Sequence, residues 1–247
     1  MTALDLTGAT VVITGAGSGI GRAACEAFSD ARARVLAVDL HEDTAAATAE
    51  AVGGSSLAGD VSDPALWDRI VAEAGADLRA VYLNAGVYGH NGAIEDLPLD
   101  VFERTVDTNI GGVVLGVRAC VPALRANGGG AIVVTASVAG VIAFGGNPLY
   151  TLTKQAVAGF VAAVAPSLEP QGISIDAVCP GVVDTPMTEG ALGGLDPKQL
   201  GIEMVGPEVI ARTALELATT EGTGRCRVVR AGYDPVDYRH PIWQELR

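Results

Sequence analysis

Residues 10–21 set the expected architecture, and they read Thr-Val-Val-Ile-Thr-Gly-Ala-Gly-Ser-Gly-Ile-Gly. The first five residues form a short β-branched run, which is typical of a parallel strand that is buried on both faces. The glycines that follow permit a tight turn, and a helix that begins there presents free N–H groups and a positive dipole to an anion. This order of strand, turn and helix predicts a pyrophosphate-binding turn. Its candidate contacts are Thr14, Gly15, Gly17, Ser18, Gly19, Ile20 and Gly21.

The same alternation continues along the chain. Further short apolar runs predict strands at residues 35–38, 80–83, 131–136 and 174–178. Helical stretches lie between the strands and after them, at residues 21–31, 44–51, 64–74, 101–126, 150–168 and 207–218. Such alternation predicts an α/β fold with a doubly wound, Rossmann-like parallel sheet. Because no internal repeat and no Pro/Ser-rich linker interrupts the pattern, residues 1–247 are predicted to form a single domain.

The composition excludes several classes of protein. Hydrophobic residues make up 49% and charged residues 18% of the chain, which excludes intrinsic disorder. Lys and Arg number 16 against 29 Asp and Glu, and the formal net charge of −13 argues against nucleic acid and anionic membrane surfaces as partners. Residues 126–153 carry no charge, but Gly128, Gly129, Gly130 and Pro148 interrupt them, so no membrane span is expected.

The cysteines and the N-terminus predict a cytoplasmic protein. No basic residue precedes Arg22, so the charged region of a signal peptide is missing. The four cysteines form no Cys-x-x-Cys pair, which favours reduced, buried thiols. The three histidines are scattered, so no metal site is predicted.

Asp39 ends the second predicted strand, 18 residues beyond Gly21. A carboxylate at this place can accept hydrogen bonds from both ribose hydroxyls of an adenosine and repels a 2′-phosphate. Neither Ser18 nor Leu40 supplies a cation for such a phosphate, so the sequence favours NAD over NADP. The alternative is that Asp39 serves as a loop or capping residue.

Two further candidates follow later strands or helices. Asp60 and Val61 come after the second predicted helix and would bind the adenine edge, or Asp60 would simply form a turn. Asn84, Ala85 and Gly86 directly follow a strand, at the edge where open α/β sheets bind their ligands.

Ser137, Tyr150 and Lys154 form the constellation that points to catalysis. Tyr150 and Lys154 are four residues apart, so they share one face of a helix. A cation beside a phenol favours the phenolate and lowers its pKa. Ser137 lies 13 residues before Tyr150, just beyond a buried strand, and can reach the same place.

Taken in order, these motifs resemble the short-chain dehydrogenase/reductase family over residues 6–185. The resemblance implies that Tyr150 is the general acid/base, that Lys154 holds the nicotinamide ribose and that Ser137 binds the substrate oxygen. It also implies that Asn109 holds a water of the proton relay. By the same resemblance, Pro180, Gly181, Val183 and Thr185 contact the nicotinamide.

The substrate pocket is predicted from loops that follow the motifs. Its candidate residues are Val87, Tyr88, Val138, Phe144 and Met187. Residues 187–206 are rich in glycine and predict a mobile lid, and residues 233–247 form a tail of unassigned role. Because residues 187–204 contain no arginine, the expected substrate is a neutral, mostly apolar secondary alcohol or ketone.

The leading hypothesis is therefore an NAD-dependent alcohol dehydrogenase acting on a small molecule. The alternatives are an NADPH-dependent ketoreductase on carrier-bound acyl chains and a non-catalytic dinucleotide sensor. A homo-oligomer, either a tetramer or a dimer, is expected from the resemblance, since two of its apolar helices form interfaces in that family.

Overall fold

The computed structural model describes residues 3–193, 195–197 and 199–240. Within them, eight strands form one sheet. The strands are β1 (Thr10–Thr14), β2 (Arg34–Asp39), β3 (Ser55–Ala58), β4 (Leu78–Leu83), β5 (Gly130–Thr135), β6 (Ile173–Pro180), β7 (Cys226–Val229) and β8 (Val236–Tyr238). Their order is β3-β2-β1-β4-β5-β6-β7-β8, in which β8 alone is antiparallel to its neighbour. The predicted doubly wound, Rossmann-like parallel sheet is confirmed.

Helices cover both faces of this sheet. They are α1 (Gly19–Asp30), α2 (Glu42–Val52), α3 (Pro64–Ala74), α4 (Leu99–Val106), α5 (Gly112–Ala126), α6 (Pro148–Leu168), α7 (Pro186–Ala191) and α8 (Pro207–Thr219). Successive side chains of a strand point to opposite faces. Leu36 accordingly belongs to a buried cluster that includes residues of α3, α5 and α6, whereas its neighbour Ala37 belongs to one that includes residues of α1 and α8. A hydrophobic core lies on each face of the sheet, so the central strands carry almost no polar residues.

The sequence prediction missed three strands, the short helix α7 and one irregular turn. β3 is short and begins with two serines, and β7 and β8 form the other edge, so none of them has the long apolar run of a central strand. The helix predicted at 101–126 is divided by a π-helical turn at Asp107–Gly111. Hydrophobic periodicity does not resolve one added residue in a turn, so this feature could not be read from the pattern.

The switch in strand order places the ligand edge. β2 and β4 lie on either side of β1, so the chain leaves β1 in two directions and a crevice opens at the carboxyl ends of the strands. The glycine turn, Asn84, Ser137 and Pro180 all follow or end strands at this edge. Topology alone therefore gathers the motifs that the sequence separates.

At the far edge, two arginines attach the last strands. The Asp176 carboxylate is buried and accepts from the Arg225 guanidinium at 2.8 and 3.0 Å, and Arg227 pairs with Asp237 of β8 at 2.7 Å.

Among the described residues, none of the helices has the length and hydropathy that a membrane span requires.

Candidate active site

A cavity of about 820 Å³ opens at the carboxyl edge of the sheet. Most of the predicted site residues line it. They are Gly15, Ser18, Gly19, Ile20, Asp39, Asn84, Ala85, Gly86, Tyr88, Ser137, Val138, Phe144, Tyr150, Lys154, Pro180, Gly181, Val183, Thr185 and Met187. The other candidates lie outside the lining. They are Thr14, Gly17, Gly21, Leu40, Asp60, Val61, Val87 and Asn109.

The glycine turn packs so closely that its backbone forms part of the cavity wall. A Cβ at Gly21 would overlap the Gly15 carbonyl oxygen and lie 2.9 Å from Asn84 Nδ2. The Ser18 hydroxyl does not cap α1, and the first turn of α1 carries no acidic residue. The N–H groups at this helix end are therefore available to an anion, as a phosphate site requires.

Asp39 is tied into the same turn. Its Oδ2 accepts from the Gly17 N–H at 2.8 Å, and its Oδ1 accepts from the His41 N–H at 3.0 Å. The loop role and the ligand role of Asp39 are therefore compatible, because each carboxylate oxygen has a second lone pair. Leu40 next to it is 60% exposed and is not among the residues that line the cavity.

A hydrogen-bond network fixes the middle of the cavity. The buried Thr14 hydroxyl accepts from the N–H groups of Asn84 at 3.0 Å and Ala85 at 3.1 Å. Asn84 Nδ2 donates to the Thr14 carbonyl at 3.1 Å, and Asn84 Oδ1 accepts from the Thr135 hydroxyl at 2.9 Å. Thr14 thus links the end of β1 to the segment after β4, and Asn84 links that segment to the end of β5.

Lys154 is almost completely buried beside this network. Its Nζ donates to the Thr135 carbonyl at 2.7 Å and lies 5.5 Å from the centre of the Tyr150 ring. Burial lowers the pKa of Lys154 to about 8, because an ammonium loses its hydration in this position. The sequence analysis did not single out Thr135, although Thr135 ends the strand that precedes Ser137.

Tyr150 and Ser137 both line the cavity, and their side chains interact. Burial raises the pKa of Tyr150 to about 12, the hydrogen bond with Ser137 lowers it, and the neighbouring Tyr88 phenol raises it. Lys154 is not among the groups that shift this pKa within the polypeptide, and burial is the main cause of the rise. Lys154 Nζ donates to the Thr135 carbonyl instead. The expectation that Lys154 lowers the Tyr150 pKa stays a prediction.

Asn109 lies behind the cavity, in the π-helical turn between α4 and α5. Its Oδ1 accepts from the Val87 N–H at 2.8 Å, and its Nδ2 donates to the Val87 carbonyl at 2.9 Å and to the Thr153 hydroxyl at 3.1 Å. Both amide hydrogens are used. The side chain therefore anchors the segment after β4, and Val87 is held by its backbone.

Asn147 is a buried residue that the sequence reasoning missed. Its Oδ1 caps α6 by accepting from the Tyr150 N–H at 2.9 Å, and its Nδ2 donates to the Tyr88 carbonyl at 2.8 Å. The rings of Tyr88 and Tyr150 lie 5.1 Å apart. Asn147 thereby fixes both tyrosines, and its place before Pro148 at a helix start was the available signal.

Asp60 and Val61 are set apart from the cavity in the described structure. The Asp60 carboxylate accepts from the Ser62 N–H at 2.9 Å and the Ser62 hydroxyl at 2.8 Å, which is the turn role left open above. Val61 is buried, and its carbonyl accepts from the Trp67 indole at 2.8 Å.

The part of the cavity lining outside the glycine turn is mostly apolar and comes from several segments. Phe144 and Met187 are 45% and 40% exposed at its rim, and Leu192 and Ile202 belong to the predicted lid. Val183 and Val205 form a parallel bridge that brings the two ends of this segment together. Gly194 and Lys198 of the lid, and residues 241–247 of the tail, lie outside the described residues.

The cavity also contains residues from the C-terminal part that no motif indicated. Arg230, Ala231 and Tyr233 follow β7 and line the same wall, together with Glu203. The sequence analysis expected a pocket without arginine because the lid contains none. Arg230 lines the cavity, so that reasoning is wrong. Tyr233 shows that the predicted tail contributes to this pocket at its first residue.

Metal ligation has no support among the described residues, which hold no cluster of three or more His, Cys, Asp or Glu side chains in suitable positions. The cysteines within this part of the chain are four free, buried thiols.

Comparison with known proteins gives consistent similarities. Residues 9–193 match the model of the short chain dehydrogenase family. The 2-(R)-hydroxypropyl-CoM dehydrogenase of Xanthobacter autotrophicus is 34% identical over 73% of this chain and 77% of its own. The trans-4-hydroxycyclohexanecarboxylate dehydrogenase of Sinomonas cyclohexanicum is 32% identical over 86% of each chain. A solved short-chain type dehydrogenase/reductase from Mycobacterium marinum superposes with a TM-score of 0.84 at 31% identity, over 93% of this chain and 96% of that one.

Proposed function

The chain belongs to the short-chain dehydrogenase/reductase family of nicotinamide-dependent oxidoreductases, and from that premise we propose that it is an NAD-dependent dehydrogenase of a mostly apolar secondary alcohol. The observation that supports this most directly is the convergence of Ser137, Tyr150 and Lys154 on one cavity with the glycine turn. The two relatives named above act, by their names, on secondary alcohols.

The residues of the turn fit a dinucleotide. The free N–H groups at the start of α1 suit its phosphates, and a Cβ at Gly19 would lie 2.9 Å from Thr185 Cγ2, so the turn and the segment after β6 close on the same place. Asp39 lines the cavity beyond the turn and would receive the ribose hydroxyls. Val183 and Thr185 would contact the carboxamide, and Lys154 the ribose beside it.

Tyr150 would remove the proton of the alcohol, while Ser137 hydrogen-bonds the same oxygen. The bound cofactor would supply the hydride acceptor and, in its oxidised form, a positive charge. Because burial holds the Tyr150 pKa near 12 within the polypeptide, such a charge would be needed to favour the phenolate. Since both amide hydrogens of Asn109 are used, a relay water there would depend on its main chain, within the π-helical turn.

Assembly and location are part of the same proposal. Val114 on α5 and Leu152 on α6 are apolar yet 38% and 53% exposed, as helices at an interface would be. We infer a cytoplasmic homo-oligomer, a tetramer or dimer. Light scattering of the purified protein should give a mass of two or four chains, and a monomer at micromolar concentration would contradict it.

The central test is NADH formation across a panel of secondary alcohols, with parallel reactions that contain NADP. We expect turnover of cyclic and branched secondary alcohols, and a strong preference for NAD. If the protein binds NAD but oxidises no alcohol and reduces no ketone of the panel, the sensor alternative replaces this proposal. A preference for NADPH with acyl-carrier ketones would favour the ketoreductase alternative.

A further inference from the structure

Within the described residues, the cavity carries a cation without a charged partner just beyond the end of β7. Among the described residues that line the cavity, Lys154 and Arg230 are the only cations. Lys154 is buried and donates to the Thr135 carbonyl. The Arg230 guanidinium forms no side-chain hydrogen bond or ion pair within the described parts of the chain, and it lies 4.3 Å from the centre of the Tyr233 ring.

The guanidinium of the exposed Arg230 lies over the Tyr233 ring as a cation–π pair, which leaves its N–H groups without a hydrogen-bond acceptor among the described residues. A guanidinium presents these donors as a rigid, planar fork. That planar fork matches the two oxygens of a carboxylate, which it can bind through two parallel hydrogen bonds. The ring holds the guanidinium in place, so less rotational freedom is lost on binding.

The topology places Arg230 at the substrate end of the cavity and away from the phosphates. The glycine turn follows β1 and Arg230 follows β7, which are four strand spacings, about 19 Å, apart. Ser137 follows β5, only two spacings or about 10 Å from β7. The Ser137 hydroxyl lies 3.5 Å from the Pro180 carbonyl, and a Cβ on the adjacent Gly181 would lie 3.5 Å from Arg230 Cγ. Arg230 is thus close to the reacting centre but beyond hydrogen-bond reach of it.

Apolar side chains line the cavity around these two polar points. They are Val138, Val182, Met187, Leu192 and Ile202. Resting on the function proposed above, we propose that Arg230 binds a carboxylate of the substrate, at the opposite end of an apolar body from the alcohol that Tyr150 deprotonates. The strands that precede Ser137 and Arg230 are about two strand spacings, or about 10 Å, apart, which leaves room for an apolar body of roughly one ring between the two polar points.

Glu203 favours a carboxylate over a doubly charged phosphate. Glu203 lines the same cavity, and a Cβ at Gly232, two residues after Arg230, would lie 3.4 Å from Glu203 Oε2. It is not within ion-pair distance of Arg230 among the described contacts. A second negative charge on the ligand would be repelled by Glu203 with no further cation to offset it.

The test compares two substrates of nearly the same shape, 4-hydroxycyclohexanecarboxylate and its carboxamide. For the native enzyme with NAD, we expect kcat/KM to be about tenfold or more higher for the carboxylate, through a lower KM, since charge-assisted hydrogen bonds carry this discrimination. Arg230→Gln should reduce the ratio to about one, mainly through a higher KM for the carboxylate. Arg230→Lys should retain part of the preference, and Glu203→Gln should not reduce it.

Arg212→Gln is the matched control, because Arg212 is an exposed arginine on α8 that lies outside the cavity lining. It removes one positive charge from the same chain and should leave the ratio unchanged. A native ratio near one, a ratio that survives Arg230→Gln, or an equal loss with Arg212→Gln would each overturn the assignment.

A binding measurement separates this inference from the proposed activity. Cyclohexanecarboxylate has no hydroxyl to oxidise, and calorimetric titration into the NAD-saturated enzyme reports anion binding alone. We expect the Kd to rise about tenfold or more in Arg230→Gln. If binding follows Arg230 while no alcohol is oxidised, the proposed function fails and the anion site stands. If alcohols are oxidised but neither binding nor KM depends on Arg230, only the anion site fails.

Discussion

The two halves of the cavity are built in different ways. The nucleotide half consists of the glycine turn and Asp39, where the Asp39 carboxylate accepts from the Gly17 N–H and the side chain of Ser18 leaves the first N–H groups of α1 uncapped. The substrate half consists of Ser137, Tyr150, the predicted lid and Arg230, which come from four separate parts of the chain. The first is packed so tightly that a Cβ cannot be added, whereas the lid of the second has open glycine positions. The nucleotide half recognises the same cofactor group in every complex and can be rigid, whereas the substrate half must adapt to its substrate. This accounts for the difference in packing.

The largest effect should come from removing the phenol where the two halves meet. Tyr150→Phe deletes the hydroxyl that exchanges a proton with the alcohol and keeps the ring that packs on Tyr88. We expect kcat to fall by about 10²–10⁴-fold, the usual contribution of a positioned acid/base, while NAD binds with little change. Steady-state kinetics and fluorescence titration with NADH measure the two quantities. Unimpaired turnover would assign the proton transfer to another group.

The contrast in packing can be tested with two Gly→Ala changes. A Cβ at Gly21 overlaps the Gly15 carbonyl, and backbone atoms cannot move aside, so Gly21→Ala should lower the free energy of unfolding by about 2–3 kcal/mol. Gly190 is a helical residue of the lid with no atom near its Cβ position, so Gly190→Ala should raise it by about 0.5–1 kcal/mol. Urea unfolding compares them. Equal effects of the two changes would remove the distinction between the halves.

The same contrast explains what the sequence could predict. Residues 10–21 fold against each other, so the strand, the turn and the start of α1 can be read from their order. Tyr150 and Lys154 are one helical turn apart, and their shared face follows from the helix period. The central strands are apolar on both faces, which is why their positions are confirmed. These are local patterns, and predicting them does not require knowledge of contacts between distant parts of the chain.

Residues that depend on distant contacts could not be found in this way. Arg230 lies near Ser137 because β7 is two strands from β5, a neighbour relation that no local pattern encodes. Asn147 caps a helix, which sequence can indicate, but its bond to the Tyr88 carbonyl joins residues 59 positions apart. The Tyr150 pKa depends on how much water the fold excludes, and that also is a property of the packed molecule.

Cofactor preference probes the nucleotide half alone. Leu40→Arg places a cation next to Asp39 at a 60% exposed position, without disturbing the bonds from Gly17 and His41 to the carboxylate. We expect kcat/KM with NADP to rise about tenfold and that with NAD to stay the same, because one charge-assisted contact is added. Asp39→Ser should lower kcat/KM with NAD by a similar factor. An unchanged NAD/NADP ratio in both variants would place the adenosine elsewhere.

The smallest effect concerns the charge buried between the halves. Lys154 has a native pKa of about 8, lowered by burial from 10.5, so the unfolded chain binds more protons between these values. Stability therefore rises with pH across that window, because the native state is relieved of a buried charge. Lys154→Met lacks this titration, and taking the difference cancels groups such as Cys25 and Cys120, whose pKa shifts do not involve Lys154. Between about pH 7 and about pH 9.5, the unfolding free energy of the native protein should gain about 1–2 kcal/mol relative to the variant. Urea unfolding at the two pH values measures the gain, and a constant difference would mean that the Lys154 ammonium remains charged and solvated in the folded protein.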